Sequence, residues 1–432
     1  MTSIADTRVA SSSATTPTGR RRWIICALLF ASTTICYMDR QVIGLLKPTL
    51  EHELGWSEID YGDIIAVFSL MYAIGYLVGG RLMDWLGVRR GLPLAVGAWS
   101  ISAALHGAMS SVIGFKMARG ALGLAEGGNF PAAIKTVREW FPPRERALAT
   151  GIFNAGSNIG ALVTPIALPF VVMAAGWRAA FVIAGALGLI WVAFWLALYE
   201  VPERARRLSI EELAYIRSGD EGGDSAKPSW LSLLRYRGTW AYMLGMLLTS
   251  PVWWFYLNWV PGFLNQRFGV DMLGSIGPLV TIYLLADLGS VLGGWISSRL
   301  IRLGMRPLAA RMAAMLIMAA FPLPVAFVSS VASLWPATVL IGLAAAGHQG
   351  LSANLYTTVS DTLPARAVSS VVGIGGFAAG VTGMFVAMAV GRILDATHDN
   401  YMILFIAAAT AYPIAVGVMS VILRRDLAVS DR

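Results

Sequence analysis

Of the 432 residues, 56% are hydrophobic and only 13% charged, against about 25% charged in an ordinary soluble domain. So few charges cannot cover a soluble surface, which excludes the two or three soluble domains that length alone would allow. The net charge of +8 accompanies two cysteines, Cys26 and Cys36, both inside the first apolar run. That placement excludes a disulfide framework and a zinc site.

The chain opens on a polar Ser/Thr/Ala-rich stretch, Ser11 to Thr18, that ends in Arg20, Arg21 and Arg22. A long apolar span follows directly. This pattern predicts a disordered tail over 1–22 and not a cleavable signal peptide. About 20 mostly apolar residues suffice to cross the hydrocarbon core. By that measure twelve spans follow, at 23–46, 62–86, 92–113, 115–137, 146–175, 178–199, 237–264, 275–302, 308–331, 334–361, 367–394 and 401–423; they are numbered 1 to 12 below. The predicted fold class is all-α, a polytopic membrane protein of twelve transmembrane helices. Two six-helix bundles, 23–199 and 237–423, flank a charged linker at 200–236, and a short tail runs over 424–432. The linker carries Glu203, Arg204, Arg206, Arg207, Glu211, Glu212, Asp220, Glu221 and Asp224. Within it, Ser209 followed by Glu212 reads as a capping box that starts a short surface helix near 209–217.

With the N-terminus inside, only Lys47, Lys116, Arg178, Arg267 and Arg392 of the 33 Lys and Arg fall on the outer side. Arg40, Arg119 and Lys135 lie within spans. The positive-inside rule then places both termini in the cytosol. The basic balance belongs to that rule and to anionic lipid, so no nucleic-acid partner is expected.

The halves repeat. Pro142-Pro143-Arg144 and then Gly151-Ile152 follow span 4; Pro364-Ala365-Arg366 and then Gly373-Ile374 follow span 10, 222 residues on. Gly79-Gly80-Arg81-Leu82-Met83-Asp84 between spans 2 and 3 matches Gly293-Gly294-Trp295-Ile296-Ser297-Ser298 between spans 8 and 9. Two parallel repeats enclose a midplane substrate site at their interface.

The loop Gly80-x-x-x-Asp84-x-x-Gly87-x-Arg89-Arg90 resembles the signature loop of the major facilitator superfamily. Met38-Asp39-Arg40, the stretch from Arg119 to Pro131 and Glu139-Trp140-Phe141-Pro142 resemble its anion:cation symporter branch. The runs 286–294 and 347–361 are similar to the hexuronate transporters of that branch. The resemblance spans about 20–425. It implies the major facilitator fold, with proton-coupled symport of a sugar acid such as glucuronate or galacturonate by alternating access in a bacterial inner membrane. In the second half Ser298 replaces the loop's acid, so the halves are expected to gate unequally.

An ionisable group at mid-membrane costs at least about 2.5 kcal/mol on insertion scales and is functional by default. Asp39 and Arg40 lie in span 1, Arg119 and Glu126 in span 4. The last two sit about 10 Å apart on one face, with Asn129 beside Glu126. An anion needs a fixed cation, and a guanidinium matches a carboxylate. A proton-coupled carrier needs an acid that changes protonation. Arg40 and Arg119 are therefore the expected anion ligands, and Glu126 and Asp39 the proton carriers, with an arginine partner for Glu126 that turns to the substrate. The alternative is a permanent Glu126–Arg119 strut. Adjacent Asp39 and Arg40 cannot face the same way.

Tyr72, where the family pattern places a site tyrosine, is expected at the substrate, as are Trp254, Tyr256 and Asn258 of the aromatic cluster in span 7. Asn158 in span 5 and His348, Gln349 and Asn354 in span 10 complete the expected lining; a hydrogen-bonded core role competes for His348, and a helix-packing role competes with a pocket role for Asp287. Asp84, Arg89 and Arg90, with Arg144 and Arg366, are read as gating residues, Asp84 near the start of the next helix or opposite an arginine. Many of the 45 glycines suit close helix crossings, most densely at Gly373, Gly375, Gly376, Gly380 and Gly383. No ATPase motif, metal-ligand cluster or nucleophile constellation is present, so no cofactor is expected and a proton gradient supplies the energy. The partners are then a small anionic substrate, protons and the bilayer, with the chain a monomer. Weighed against this are a carrier for another organic anion (an aldonate or an aromatic carboxylate), a membrane-embedded enzyme and a transporter-like sensor.

Overall fold

The structure is a computed structural model that describes residues 20–205, 208–218, 230–363 and 365–424. Residues 1–19 of the expected tail and three of the linker's acids, Asp220, Glu221 and Asp224, lie outside the described residues, as do the side chains of Arg144 and Arg366. All twelve spans form as helices, and no strand occurs among the described residues.

Span 1 (Arg21–Leu54) continues beyond its apolar run because Lys47 and Glu51 pair one turn apart at 2.7 Å. It stops at Gly55, whose φ of 66° is left-handed. Ser57 and Asp60 then build a reciprocal capping box that starts span 2 (Glu58–Leu86). Span 3 is Val88–His106. Span 4 breaks at Gly127-Gly128 into Val112–Glu126 and Asn129–Trp140. Spans 5 and 6 run together over Pro143–Leu198 and bend at Gly176, whose φ of 78° only glycine accepts cheaply. The second half holds span 7 (Arg237–Phe268), span 8 (Ile276–Arg302), span 9 (Pro307–Ala320, with a 3₁₀ turn over Leu323–Ser330), span 10 (Leu334–Thr362), span 11 (Ala365–Thr397) and span 12 (Met402–Ile422).

On length and composition alone, seven helical stretches among the described residues could cross a membrane, and spans 3, 4, 7 and 10 are not among them. Three of those four carry the polar residues of the site. A helix that lines a cavity must give up part of its apolar surface.

The first helix starts at Arg21, inside the expected tail. Arg22 is buried, paired with Glu145 at 2.9 Å and Glu212 at 3.3 Å, and its guanidinium lies 5.1 Å from the Tyr215 ring. The linker helix Ile210–Arg217 is thereby docked on the first half. Ser209 caps it as expected, but Glu212 completes no box because its carboxylate turns to Arg22.

The repeat survives as packing. A Cβ on Gly75 would stand 2.2 Å from the Leu124 carbonyl oxygen, and one on Gly289 would stand 2.2 Å from that of Ala346. Gly79 against Gly128 and Gly293 against Gly350 are equally tight. Spans 2 and 4, and spans 8 and 10, thus cross backbone on backbone at matching places. Between halves, span 2 packs on span 11, span 1 on span 7 and span 5 on span 8. The contact of spans 2 and 11 runs from Gly62–Gly391 through Ala73–Gly380 to Tyr76–Gly376. Further toward the termini, Gly80 and Gly373 have open space around them. The halves therefore meet on the side away from the termini.

Gly289→Ala should lower the melting temperature of the solubilised protein, at an overpacking cost of about 1–3 kcal/mol. Gly373→Ala, which meets nothing, should leave it unchanged or raise it. An equal response from both would contradict the packing assigned to Gly289.

Candidate functional site

Spans 1 and 4 are stitched together at three levels. At the lowest, the Asn129 amide sits between Ser32 (3.1 Å) and Thr33 (3.5 Å). The break at Gly127-Gly128 puts that amide at the start of a new helical segment and leaves Glu126 at the end of the previous one. Above it, Arg40 Nε donates to Glu126 at 2.6 Å. Higher still, Arg119 donates to the Asp39 carbonyl at 3.4 Å and the Arg40 carbonyl at 3.0 Å.

The arginine partner expected for Glu126 is Arg40; the Glu126–Arg119 strut weighed as the alternative does not form. Two turns along one helix keep Arg119 from its own carboxylate, whereas Arg40 reaches across from span 1. Arg119 instead holds the backbone of span 1, with its guanidinium 4.6 Å from the Phe68 ring. It is 1% exposed; its terminal nitrogens hold the backbone beside Arg40, and its Nε is buried without a hydrogen-bond partner. Arg40 is the more open partner of its pair; its side chain is 12% exposed and that of Glu126 0%. Aromatic rings of Tyr72 (4.4 Å), Tyr37 (4.9 Å) and Phe68 (5.6 Å) surround its guanidinium. One oxygen of Glu126 and both carboxylate oxygens of Asp39 are buried without a hydrogen-bond partner. Asp39 and Arg40 do face apart, as adjacent residues on a helix must.

Between the halves, the Trp254 ring meets that of Tyr72 edge-on at 6.2 Å, which joins them. Trp253 turns into the second half and stacks on His348 at 5.1 Å. Both ring nitrogens of His348 are engaged, Nδ1 with Tyr412 at 3.2 Å and Nε2 with Ser352 at 3.3 Å. It is a core histidine and not a substrate ligand. Asn354 also leaves the expected lining: its buried amide donates to the Gly293 and Gly350 carbonyls and clamps span 8 to span 10. Tyr256 is buried in the second half beside Tyr412. The Asn258 amide donates to the Trp254 carbonyl of its own helix at 2.8 Å. Gln349 is half-buried and makes no hydrogen bond among the described residues. Asn158 meets Asp287 across the halves, which makes that acid an interface contact.

Asp84 is exposed and pairs with Lys135 at 2.9 Å, a lysine of the same half. Lys135 also donates to the Met83 carbonyl, so the bridge braces spans 2 and 4. Arg89 and Arg90 are exposed at the start of span 3.

A second charged cluster was read from sequence only as an orientation marker. Lys47, 2% exposed, pairs with both Glu51 and Glu58 and lies 5.4 Å from the Tyr61 ring. Its stem packs on Gly262 of the second half. Tyr61 crosses to the second half as well, donating to the Asn258 carbonyl at 2.9 Å and meeting Trp259 edge-on at 5.3 Å. This cluster plugs the side away from the termini. The i, i+4 spacing of Lys47 and Glu51 was visible in the sequence; the partner helix was not.

The comparisons agree with this architecture. The family model of the Major Facilitator Superfamily matches residues 29–388. The chain is 31% identical over 379 residues to a hexuronate transporter of Escherichia coli (strain K12), covering 87% of this chain and 88% of that one. It is 36% identical over 278 residues to a galacturonate transporter of Dickeya chrysanthemi, covering 63% of this chain and 81% of that one. A probable L-galactonate transporter of Escherichia coli (strain K12) is 32% identical over 399 residues, covering 89% and 87%. Among solved structures, the inward-open xylose transporter XylE from E. coli superposes with a TM-score of 0.69 at 15% identity, covering 92% of this chain and 95% of that one. The twelve-helix chain, with its two glycine-locked repeats, belongs to the major facilitator superfamily and is not an enzyme.

Proposed function

We propose that this protein is a proton-coupled symporter for a sugar acid of the hexuronate kind, working by alternating access. The observation that carries the reading is the Arg40–Glu126 pair: a partly exposed guanidinium held by a carboxylate that is fully buried. A substrate carboxylate entering the cavity competes for Arg40. Glu126 is then left buried with an uncompensated charge, which is costly, and a proton on its carboxylate removes that cost. Substrate and proton load together. Loss of the proton on the other side lets Glu126 recapture Arg40 and displace the substrate. An ionised carboxylate without hydrogen bonds is expensive in a buried place, which supports Asp39 as a second proton carrier.

The relatives' names share one chemistry, a carboxylate joined to a polyhydroxylated chain. The L-galactonate relative keeps an aldonate as the second reading. The Lys and Arg distribution supports a bacterial inner-membrane placement with both termini cytosolic, in which the Lys47 cluster seals the outer side. The carrier acts as a monomer and needs no cofactor beyond the proton gradient.

Glucuronate should compete for binding while glucose should not, because a neutral ligand leaves the site's charge-assisted bonds unmade, a loss of about 1.5–3 kcal/mol. Equal competition would contradict an anion site. Glu126→Gln, which imitates the protonated acid, should bind and exchange substrate yet no longer accumulate it under a proton gradient. Accumulation equal to the parent's would remove Glu126 from coupling. Lys47→Met should unseal the outer side, since removing one partner of a buried ion pair costs about 3–5 kcal/mol. A cysteine placed at Ala387 should then label from outside more than about tenfold faster. Unchanged labelling with unchanged uptake would show that the cluster is no gate.

A further inference from the structure

Three tyrosines outside the expected site gather on the terminal side of Arg40. Tyr76 follows Tyr72 by one turn of span 2, with ring centroids 6.1 Å apart. Tyr242 of span 7 and Tyr356 of span 10 approach from the other half, 6.0 Å apart. Span 11 makes room for them with adjacent glycines. A Cβ on Gly375 would stand 2.3 Å from the Tyr242 ring, and one on Gly376 3.5 Å from that of Tyr76.

The three phenols stand where the contact between spans 2 and 11 ends and open space begins. Tyr356 is 46% exposed although its ring packs beside that of Tyr242. The Tyr242 hydroxyl is buried with no hydrogen-bond partner. Those of Tyr76 and Tyr356 make no hydrogen bond to any described residue. A buried donor left unmade is a standing cost, and a site built to bond a ligand hydroxyl discriminates sharply among ligands that place it differently.

We propose that Tyr76, Tyr242 and Tyr356 form a hydroxyl-reading collar: with the substrate carboxylate on Arg40, they bond its polyhydroxylated end and set which sugar acid is carried. The inference rests on the sugar-acid reading and extends it to specificity. Aromatic rings set the width of the collar, and their hydroxyls set its chemistry. Phenylalanine keeps the first and removes the second.

The test measures binding of glucuronate and galacturonate, which differ at one hydroxyl, to the parent and to Tyr76→Phe, Tyr242→Phe and Tyr356→Phe. Melting temperatures serve as the folding control. The variants should lose about three- to tenfold in affinity at unchanged melting temperature, and the ratio between the two acids should shift. A shifted ratio in any one variant supports the collar. An unchanged ratio in all three overturns it, even where affinity falls, because a ring that merely packs weakens both acids alike. If the parent binds neither acid, the sugar-acid reading itself fails and the collar with it. If the parent binds them and no ratio moves, only the collar falls.

Discussion

A guanidinium and a carboxylate 2.6 Å apart inside a membrane protein have few stable arrangements. Two charges removed from water repay their desolvation only when each satisfies the other closely, so Arg40 and Glu126 cannot separate without a substitute for both. The only substitutes small enough to enter are an anion for the arginine and a proton for the acid. Much of the surrounding structure holds that exchange in place. Arg119 fixes the carbonyls flanking Arg40, Asn129 anchors the helix segment after Glu126, and the rings of Phe68 and Tyr72 keep the guanidinium from wandering.

The scaffold binds each half together. Glycines bring spans 2 and 4, and spans 8 and 10, into backbone contact, so in the proposed mechanism motion would fall on the seams between halves. On the side away from the termini, Tyr61 donates across the seam to the Asn258 carbonyl, beside the first half's own cluster of Lys47 with Glu51 and Glu58. One cation between two acids under Tyr61 and Trp259 is a plug that can be rebuilt, unlike a continuous apolar seam. The linker helix rides with the first half through Arg22.

The sequence was most legible where a residue's own position carried the signal. Twelve apolar runs, the boundary between spans 5 and 6, the matched loops of the two halves and four ionisable groups inside spans could all be read directly. It was least legible where the partner decides. Arg119 and Arg40 look alike in one dimension, and only the crossing of spans 1 and 4 shows which one reaches Glu126. His348 and Asn354 are polar residues in a cavity-lining helix, but their bonds run to Tyr412, Ser352, Gly293 and Gly350 inside the second half. Tyr242 and Tyr356 are more than a hundred residues apart and drew no notice, although Tyr76 is one turn from Tyr72 and shares its face. Lys47 was read for its charge alone, because a lysine just past an apolar run is commonly an interfacial anchor.

The account turns on Arg40 passing from Glu126 to the substrate as a proton arrives, and proton uptake during binding tests that step directly. Purified protein in weakly buffered solution at neutral pH, mixed with glucuronate, should take up about one proton per molecule bound, and by linkage the affinity should weaken as pH rises. Binding with no proton uptake, and with an affinity that does not change with pH, would contradict it.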